Sequence, residues 1–306
     1  MINQSAKMYF ASQMVFKNNL KGLFLGASWV HGAEHIFYKR HSAQSYIHQY
    51  EFNLKRHLVA NEDVLKYPGM NQFDAIAVGV PFLYTYPNIK KHHGTMFKRV
   101  YFPSHSIKND SLADKYKGWI KTAKSYNCDA ICLGGIDYSH LKKFFSFLDF
   151  GEIKLIEGAK ICENNTLIKM KNIFYSIDEC IVDFPGSHII YAILCGCKIK
   201  FIENFIDDTY VTDRDINIAN QYPLSLRAAL LESFLSRIPL SDLIKKFASM
   251  NFSEKKEMAE FASGLKHLRS VSFLEKQLIP RSFKENFLNF NLLLRPKIKH
   301  KFLGDI

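Results

Sequence analysis

Short runs of apolar and β-branched residues recur along the chain, and each run is bounded by glycine, proline or polar residues. Runs of this length in this setting are typical of buried β-strands. The pattern predicts strands at residues 22–25, 75–80, 99–102, 130–133, 153–156, 179–183 and 198–202.

Stretches with helical periodicity separate several of these strands. Residues 111–126 place apolar side chains at the spacing of one helix face, and the short apolar stretch 187–195 is followed by Gly196, a residue type that favours helix ends. The predicted apolar face of the first helix consists of Leu112, Tyr116, Trp119 and Ile120. Because strands alternate with helices, we predict an α/β fold with mostly parallel sheets.

From about residue 223 onward the pattern becomes helical throughout. It predicts helices at residues 224–237, 241–250, 253–267 and 271–278, with Ser241 and Ser253 as N-caps, before a basic tail. The chain is thereby divided into an N-terminal Rossmann-like unit, a second Rossmann-like unit and a helical C-terminal region. Their predicted bounds are 1–110, 111–220 and 221–306.

The formal net charge is +12, from 41 basic and 29 acidic residues, and it is unevenly distributed. Residues 1–110 and 221–306 each carry a net charge of +7, whereas residues 111–220 carry −2. An excess of this kind suits nucleic acid, anionic lipid or a phosphorylated substrate. A nucleic-acid-binding or nucleic-acid-modifying α/β protein is the alternative function, although the sequence has none of the usual recognition motifs.

The longest apolar stretches run for only about ten residues, and a membrane-spanning helix needs about twenty. The N-terminal residues lack the apolar core of a secretory signal. The six cysteines form no CxxC pair and most lie within apolar runs, which is typical of reduced, buried thiols. We therefore expect a cytoplasmic protein that is peripheral to a membrane.

The segment 177–203 carries the most specific chemical signal. A predicted strand leads into Phe184-Pro185-Gly186-Ser187-His188, a helix begins at about Ser187, and a second strand follows. The backbone N–H groups at such a helix start form a ready anion site, and in an open parallel sheet the turn lies where ligands bind. An ordinary turn with Ser187 as the helix N-cap is the alternative interpretation.

This order of a strand, Gly186-Ser187 at a helix start, Tyr191-Ala-Ile-x-x-Gly196 and another strand resembles the donor-binding element of GT-B glycosyltransferases that build bacterial surface polysaccharides (capsule, O-antigen or lipopolysaccharide). Three further stretches are similar to that group: SWVHG at 28–32, AVGVPFLY at 77–84 with VYFPSHS at 100–106, and KLIEGAK at 154–160. The resemblance covers residues 20–205 in the expected order.

The resemblance implies a GT-B-like pair of Rossmann-like domains, with acceptor binding in the first and nucleotide-sugar binding in the second. It implies donor contacts at Gly186, Ser187 and His188. It also implies polar roles facing the cleft for His31, Ser104, His105 and Glu157. We take His31, His105 and Glu157 as the catalytic candidates, since glycosyl transfer needs a base for the acceptor hydroxyl.

Asp137 and Lys160 complete the candidate donor-binding set together with Ser104. Asp137 lies near a predicted strand end and Lys160 follows the strand that contains Glu157. Asp137 also fits a helix-capping role, Lys160 a solvated face, and Ser104 and His105 a turn.

The implied reaction moves a sugar from a CMP- or UDP-linked donor to a surface polysaccharide or a lipid-linked glycan. The partners we expect are the nucleotide-sugar, that acceptor and an anionic membrane surface. We expect no metal and no cofactor. The DxD pattern at Asp213-Arg214-Asp215 precedes a predicted helix, where acidic residues are stabilised by the helix dipole.

Overall fold

The computed structural model describes residues 27–29, 56–85, 96–103, 112–160, 165–184, 186–202 and 240–278. Strands β1 to β8 span, in order, Ser28–Trp29, Arg56–Val59, Asp74–Ala77, Phe97–Phe102, Ala130–Leu133, Lys154–Glu157, Ile177–Val182 and Lys198–Phe201. Helices α1 to α8 span Glu62–Leu65, Leu112–Ser125, Gly135–Phe144, Thr166–Tyr175, Ser187–Leu194, Leu240–Ser249, Phe252–Ser263 and Val271–Leu278. Short 3₁₀ turns occupy Met70–Gln72, Pro81–Tyr84 and Leu265–His267.

The strands form two parallel sheets, which confirms the predicted α/β class. The first sheet has the order β1-β2-β3, and the second has the order β6-β5-β4-β7-β8. In the second sheet β4 is the central strand, and its residue Val100 aligns with Ala130 of β5 and Cys180 of β7. The chain therefore winds outward from β4 in one direction through β5 and β6 and in the other through β7 and β8. This is the order of a doubly wound sheet.

The position of β4 corrects one part of the sequence analysis. The strand predicted at 99–102 was placed in the first unit, together with the stretch 100–106, and this placement is wrong. The strand pairs with β5 and β7 inside the second sheet. Its near-continuous apolar run, Val100-Tyr101-Phe102, is typical of a central parallel strand that is covered on both faces. The bounds of the three regions otherwise stay a prediction.

Six predicted strands are confirmed with shifts of at most a few residues, namely those at 75–80, 99–102, 130–133, 153–156, 179–183 and 198–202. The strand predicted at 22–25 lies outside the described residues. Two strands, β1 and β2, were not predicted. Strand β2 is buried along its whole length. It was not predicted because two of its four residues, Arg56 and His57, are basic and interrupt the apolar pattern.

Helix α2 has the predicted apolar face at three of its four positions. Tyr116, Trp119 and Ile120 are buried, whereas Leu112 is exposed because it lies at the first residue of the helix. The helix α7 begins one residue earlier than predicted. Its N-cap is Asn251 and not Ser253, and Asn251 and Glu254 form a reciprocal capping box.

The two sheets share one apolar core. The 3₁₀ turn that follows β3 inserts Phe82 against the second sheet's helices, where its ring stacks on Tyr191 of α5 at a centroid distance of 4.1 Å. Beside it, Lys171 of α4 donates a hydrogen bond to the carbonyl oxygen of Thr85 at 2.9 Å. Burial lowers the pKa of Lys171. This contact therefore joins the two sheets through both apolar stacking and a partly buried polar bond.

The C-terminal helices pack against both sheets. Helix α7 contacts α5 of the second sheet, and at its end the N–H of Val80 donates to the carbonyl of Ser263 at 2.9 Å. At Gly264, with φ +74°, a Cβ atom would lie only 1.7 Å from the carbonyl oxygen of Ala60. The absence of a side chain at this residue is what allows α7 to lie directly on the strand ends of the first sheet.

Helix α8 covers the face of the first sheet that points away from the shared core. Leu274 and Leu278 are fully buried in a cluster with Trp29. The buried Arg56 of β2 donates to the carbonyl of Gln277 at 2.8 Å. The short β1-β2-β3 sheet thus obtains much of its covering from residues more than two hundred positions later in the chain.

We expect Gly264→Ala to destabilise the protein by about 3 kcal/mol or more, because the new methyl group collides with backbone and the residue has a positive φ. Chemical denaturation measures the free energy of unfolding. The matched control is Gly118→Ala on the exposed face of α2, where an added Cβ meets nothing within 4 Å. That change should raise stability by about 0.5–1 kcal/mol, since glycine weakens a helix interior. Equal effects of the two changes would contradict the packing described for Gly264.

Candidate functional site

The strand order of the second sheet indicates a crevice at the carboxyl ends of β4 and β7. These strands are neighbours, yet the chain leaves them in opposite directions along the sheet, toward β5 from one and toward β8 from the other. Connections that diverge in this way leave an opening above the strand ends, which is the general ligand position in doubly wound sheets. Phe102 ends β4, and Asp183 directly follows β7 at this opening.

A buried hydrogen bond links the two strands at the crevice. The hydroxyl of Tyr101 donates to the Oδ2 atom of Asp183 at 2.6 Å, and each residue is about 1% exposed. Burial and the adjacent carboxylate raise the pKa of Tyr101 far above its usual range. The tyrosine therefore stays protonated and holds the carboxylate in one position, three residues before Gly186.

The turn and the start of α5 lie on the β7 side of the crevice. Gly186 is the N-cap of the helix and Ser187 its first residue, so the predicted role of Ser187 as the N-cap is wrong by one position. A Cβ atom at Gly186 would lie 3.0 Å from Nδ1 of His188. The His188 ring in turn stacks on Phe102 at 6.1 Å with an angle of 19° between the planes. Gly186 thus leaves the space in which the imidazole lies between the turn and the end of β4.

The start of α5 has the electrostatic character that anion binding requires. The N–H groups of the first turn of a helix have no acceptor within the helix, and the helix dipole concentrates positive charge there. No acidic residue occupies the first turn of α5. This helix start directly follows β7, at the carboxyl end of that strand.

Asp137 lies farther along the same sheet edge, in the first turn of α3 after β5. Its Oδ1 atom accepts a hydrogen bond from Nζ of Lys115 at 3.0 Å, and both side chains are largely buried. Lys115 also lies over the Trp119 ring, 4.5 Å from its centroid. The helix-capping role suggested for Asp137 is not observed, because the N-cap of α3 is Gly134 and no side chain caps it. Asp137 instead has Lys115 as a specific partner, which the sequence did not reveal.

Glu157 and Lys160 lie at the edge strand β6. Glu157 is the last residue of β6, and its Oε2 atom is 2.8 Å from Nζ of Lys169. Lys160 is exposed, and its aliphatic stem packs on Gly135, where a Cβ atom would lie 2.8 Å from that stem. Gly158 fits closely over β5, with its N–H donating to the carbonyl of Leu133 at 2.7 Å.

The structure brings together Gly186, Ser187 and His188 with Phe102, Tyr101 and Asp183. It does not bring Glu157 into that group, because β6 lies three strand positions from β7, about 14 Å at the usual spacing between strands. Asp137, after β5, lies two strand positions away, about 10 Å. His31, Ser104 and His105 lie outside the described residues, so their roles stay predictions.

Sequence reasoning missed Asp183, Tyr101 and Lys115. The sequence contained one usable signal for Asp183: a carboxylate directly after an apolar strand and before a Pro-Gly turn. Tyr101 and Lys115 carry no such signal, because one looks like an ordinary core aromatic residue and the other like a solvated helix lysine. Their roles follow from which strands and helices become neighbours.

Within the described ranges, no three His, Cys, Asp or Glu side chains are grouped so as to hold a metal ion. Asp213 and Asp215 of the DxD pattern lie outside those ranges. None of the helices that the structure describes is both long enough and apolar enough to cross a bilayer.

Five of the six cysteines, all but Cys162, are described, and each is buried and unbridged as predicted. Burial raises the pKa of the Cys132 thiol to about 12. A thiol with so high a pKa is a poor nucleophile at neutral pH. The Cys132 thiol is therefore structural.

Comparisons with known proteins found limited likeness. No protein-family model and no curated protein matches the chain. Among solved structures, a pneumococcal O-GlcNAc transferase, GtfA, in complex with UDP and GlcNAc matches with 11% identity and a TM-score of 0.35, over 82% of this chain and 51% of that one. The glycotransferase of kitacinnamycin matches with 14% identity and a TM-score of 0.34, over 74% of this chain and 55% of that one.

A GtfA/B complex matches with 15% identity and a TM-score of 0.31, over 82% of this chain and 51% of that one. This chain thus spans about half the length of the solved structures that it matches. TM-scores this low do not establish a common fold, so the functional conclusion rests on the sheet, its crevice and the residues around it.

We expect Tyr101→Phe to reduce the alkaline sensitivity of the protein. In the folded chain the raised pKa keeps Tyr101 protonated, whereas in the unfolded chain the phenol ionises near pH 10, so unfolding releases a proton. The contribution of this group to stability is complete below about pH 10 and declines by about 1.4 kcal/mol per pH unit above it.

The measurement is the free energy of unfolding of both proteins as a function of pH. Below pH 10 the variant should be less stable by about 1.5–3 kcal/mol, the typical value for a hydrogen bond to a charged group. The difference between the two proteins should shrink as the pH rises above 10. A constant difference would show that Tyr101 is not held protonated by burial and Asp183.

Proposed function

We propose that this chain is a glycosyltransferase that takes a sugar from a nucleotide-sugar donor bound at the crevice between β4 and β7. The observation that carries the proposal is the position of the Gly186-Ser187 helix start beside the opening of a doubly wound sheet. The sequence resemblance to the donor-binding element of GT-B glycosyltransferases supports the same site.

The donor phosphates would bind at the first turn of α5. Backbone N–H groups and the positive end of the helix dipole favour a diphosphate or monophosphate there. The side chain of Ser187 adds a hydroxyl donor, and Gly186 keeps the approach to the backbone open. His188, held against Phe102, supplies an imidazole beside the leaving phosphate.

Asp183 would complete the donor site as an acceptor for hydroxyl groups. Its carboxylate is fixed by Tyr101, and an ionised carboxylate accepts stronger hydrogen bonds from the hydroxyls of a ribose or a sugar than a neutral acceptor does. A carboxylate two residues before an anion-binding turn would repel a phosphate placed too deeply. The Asp183 carboxylate and the start of α5 would together fix the position of the nucleotide along the crevice.

The remaining assignments extend the proposal beyond the crevice. The acceptor hydroxyl would lose its proton to His31 or His105, and Glu157, Asp137, Lys160 and Ser104 stay candidates for contacts with the donor or acceptor. We propose a metal-independent reaction without a cofactor, because a helix N-terminus can stabilise the charge of the departing phosphate. The acceptor would be a surface polysaccharide or a lipid-linked glycan, reached at an anionic membrane surface on the cytoplasmic side.

Thermal unfolding in the presence of CMP, UDP, GDP and dTDP tests the donor site. We expect CMP or UDP to raise the melting temperature, since a ligand at about a hundred times its Kd adds about 2.7 kcal/mol of stability. The same shift should persist in the presence of a chelator. If none of the four nucleotides stabilises the protein, the proposed donor site is wrong.

The variant Gly186→Ala locates the binding. The added methyl group meets the His188 ring, so we expect at least a tenfold weaker nucleotide affinity with little change in the fold. Gly118→Ala, on an exposed helix face, is the matched control and should bind nucleotide as the parent does. Unchanged affinity in Gly186→Ala would place the nucleotide elsewhere. Salt-sensitive binding of RNA or DNA without nucleotide binding would favour the alternative function.

A further inference from the structure

Lysine and phenylalanine side chains are exposed side by side along α2 and at the end of α3. Phe144 and Phe147 are 53% and 74% exposed, which is unusual for side chains of this size. Lysines surround them on both helices. We refer to Lys117, Lys121, Lys142, Lys143, Phe144 and Phe147 as the Lys–Phe surface.

Ring contacts and a shallow groove show that these residues form one surface. The Phe145 ring packs on Tyr116 of α2 at 5.1 Å and on Phe147 at 6.0 Å, so the segment after α3 crosses over α2. The next residue, Leu148, lines an open groove of about 250 Å³ together with Lys117 and Lys121. The exposed phenylalanines therefore lie next to the lysine row of α2.

The charge of this region is positive. Lys117, Lys121, Lys124, Lys142 and Lys143 are all exposed. Two aspartates offset them in part. Asp149 is 3.4 Å from Lys124, and Asp114 is 3.8 Å from Lys117, both as exposed pairs that contribute little. Three positive charges remain over an area that also displays two phenylalanine rings.

We propose that the Lys–Phe surface docks on an anionic phospholipid bilayer. Phenylalanine rings enter the boundary between headgroups and acyl chains, while lysines keep their ammonium groups at the level of anionic headgroups. A soluble polyanion would use the lysines and leave the two rings in water, and an apolar protein partner would not need the lysines. An anionic bilayer uses both.

The location of the surface leaves the crevice accessible. Helix α3 begins at the carboxyl end of β5 and runs back along the sheet, so Phe144 lies toward the opposite sheet edge from Gly186. A bilayer under the Lys–Phe surface would leave the opening between β4 and β7 exposed to solvent. This proposal rests on the membrane contact included in the proposed function and names the surface that makes it. Changes in the Lys–Phe surface should not alter nucleotide binding.

Sedimentation with lipid vesicles tests the proposal on the full chain. We expect binding to vesicles that contain phosphatidylglycerol and weaker binding to pure phosphatidylcholine. Lys142→Gln/Lys143→Gln should weaken the partition to anionic vesicles about 25-fold, since each lysine near such a surface contributes about fivefold. Phe144→Ser/Phe147→Ser should weaken it about tenfold or more.

Matched variants on other helices control for overall charge and for folding. Lys245→Gln/Lys246→Gln changes an exposed lysine pair on α6, and Phe252→Ser/Phe261→Ser changes two exposed phenylalanines of α7. Both should bind vesicles as the parent does. All variants should retain the parent's melting temperature and its response to nucleotide.

Three results would overturn the proposal. Equal losses in the test and control pairs would indicate a general charge effect. Full vesicle binding by both test pairs would place the membrane contact elsewhere on the chain. Binding of RNA in place of vesicles, lost in Lys142→Gln/Lys143→Gln, would identify the surface as a nucleic-acid contact.

Fluorescence gives a second test of the membrane contact. The variant Phe147→Trp should show quenching by brominated lipid, and Phe261→Trp should not.

Discussion

The pairing of β4 with β7 is the contact on which the candidate site depends. It makes Tyr101 and Asp183 neighbours although 82 positions separate them, and the 2.6 Å hydrogen bond between them joins the two strands at their carboxyl ends. It also brings the His188 ring over Phe102. Because the chain leaves the two strands in opposite directions, the same pairing that joins them opens the space above their ends.

The C-terminal helices support this arrangement by holding the two sheets together. Helix α7 packs on α5, whose start forms one wall of the crevice, and it contacts the first sheet's strand ends through Gly264. The 3₁₀ turn with Phe82 makes a second connection to α5 through Tyr191. Helix α5 is therefore buried against both the first sheet and the C-terminal region, which fixes its direction.

The distribution of charge takes on a more specific meaning in the structure. The sequence placed the net positive charge outside residues 111–220, but that segment still presents a local group of exposed lysines on α2 and α3. Its acidic residues are used elsewhere: Asp183 and Asp137 accept bonds from Tyr101 and Lys115, and Asp129 accepts from the backbone of Lys98 and Arg99. A net charge summed along the chain hides such a separation, because it does not distinguish buried carboxylates from solvated lysines.

The sequence by itself determined the α/β class, six of the strands and the Gly186-Ser187 helix start, because these depend on local periodicity and turn residues. It did not determine that β4 belongs to the second sheet, since a run such as Val100-Tyr101-Phe102 fits any buried parallel strand. It could not separate Asp137 as a partner of Lys115 from Asp137 as a ligand contact, and it placed Glu157 nearer to the crevice than the strand order allows. Only the tertiary structure decided these points, because strand order and the approach of helices are set by packing between segments far apart in the chain.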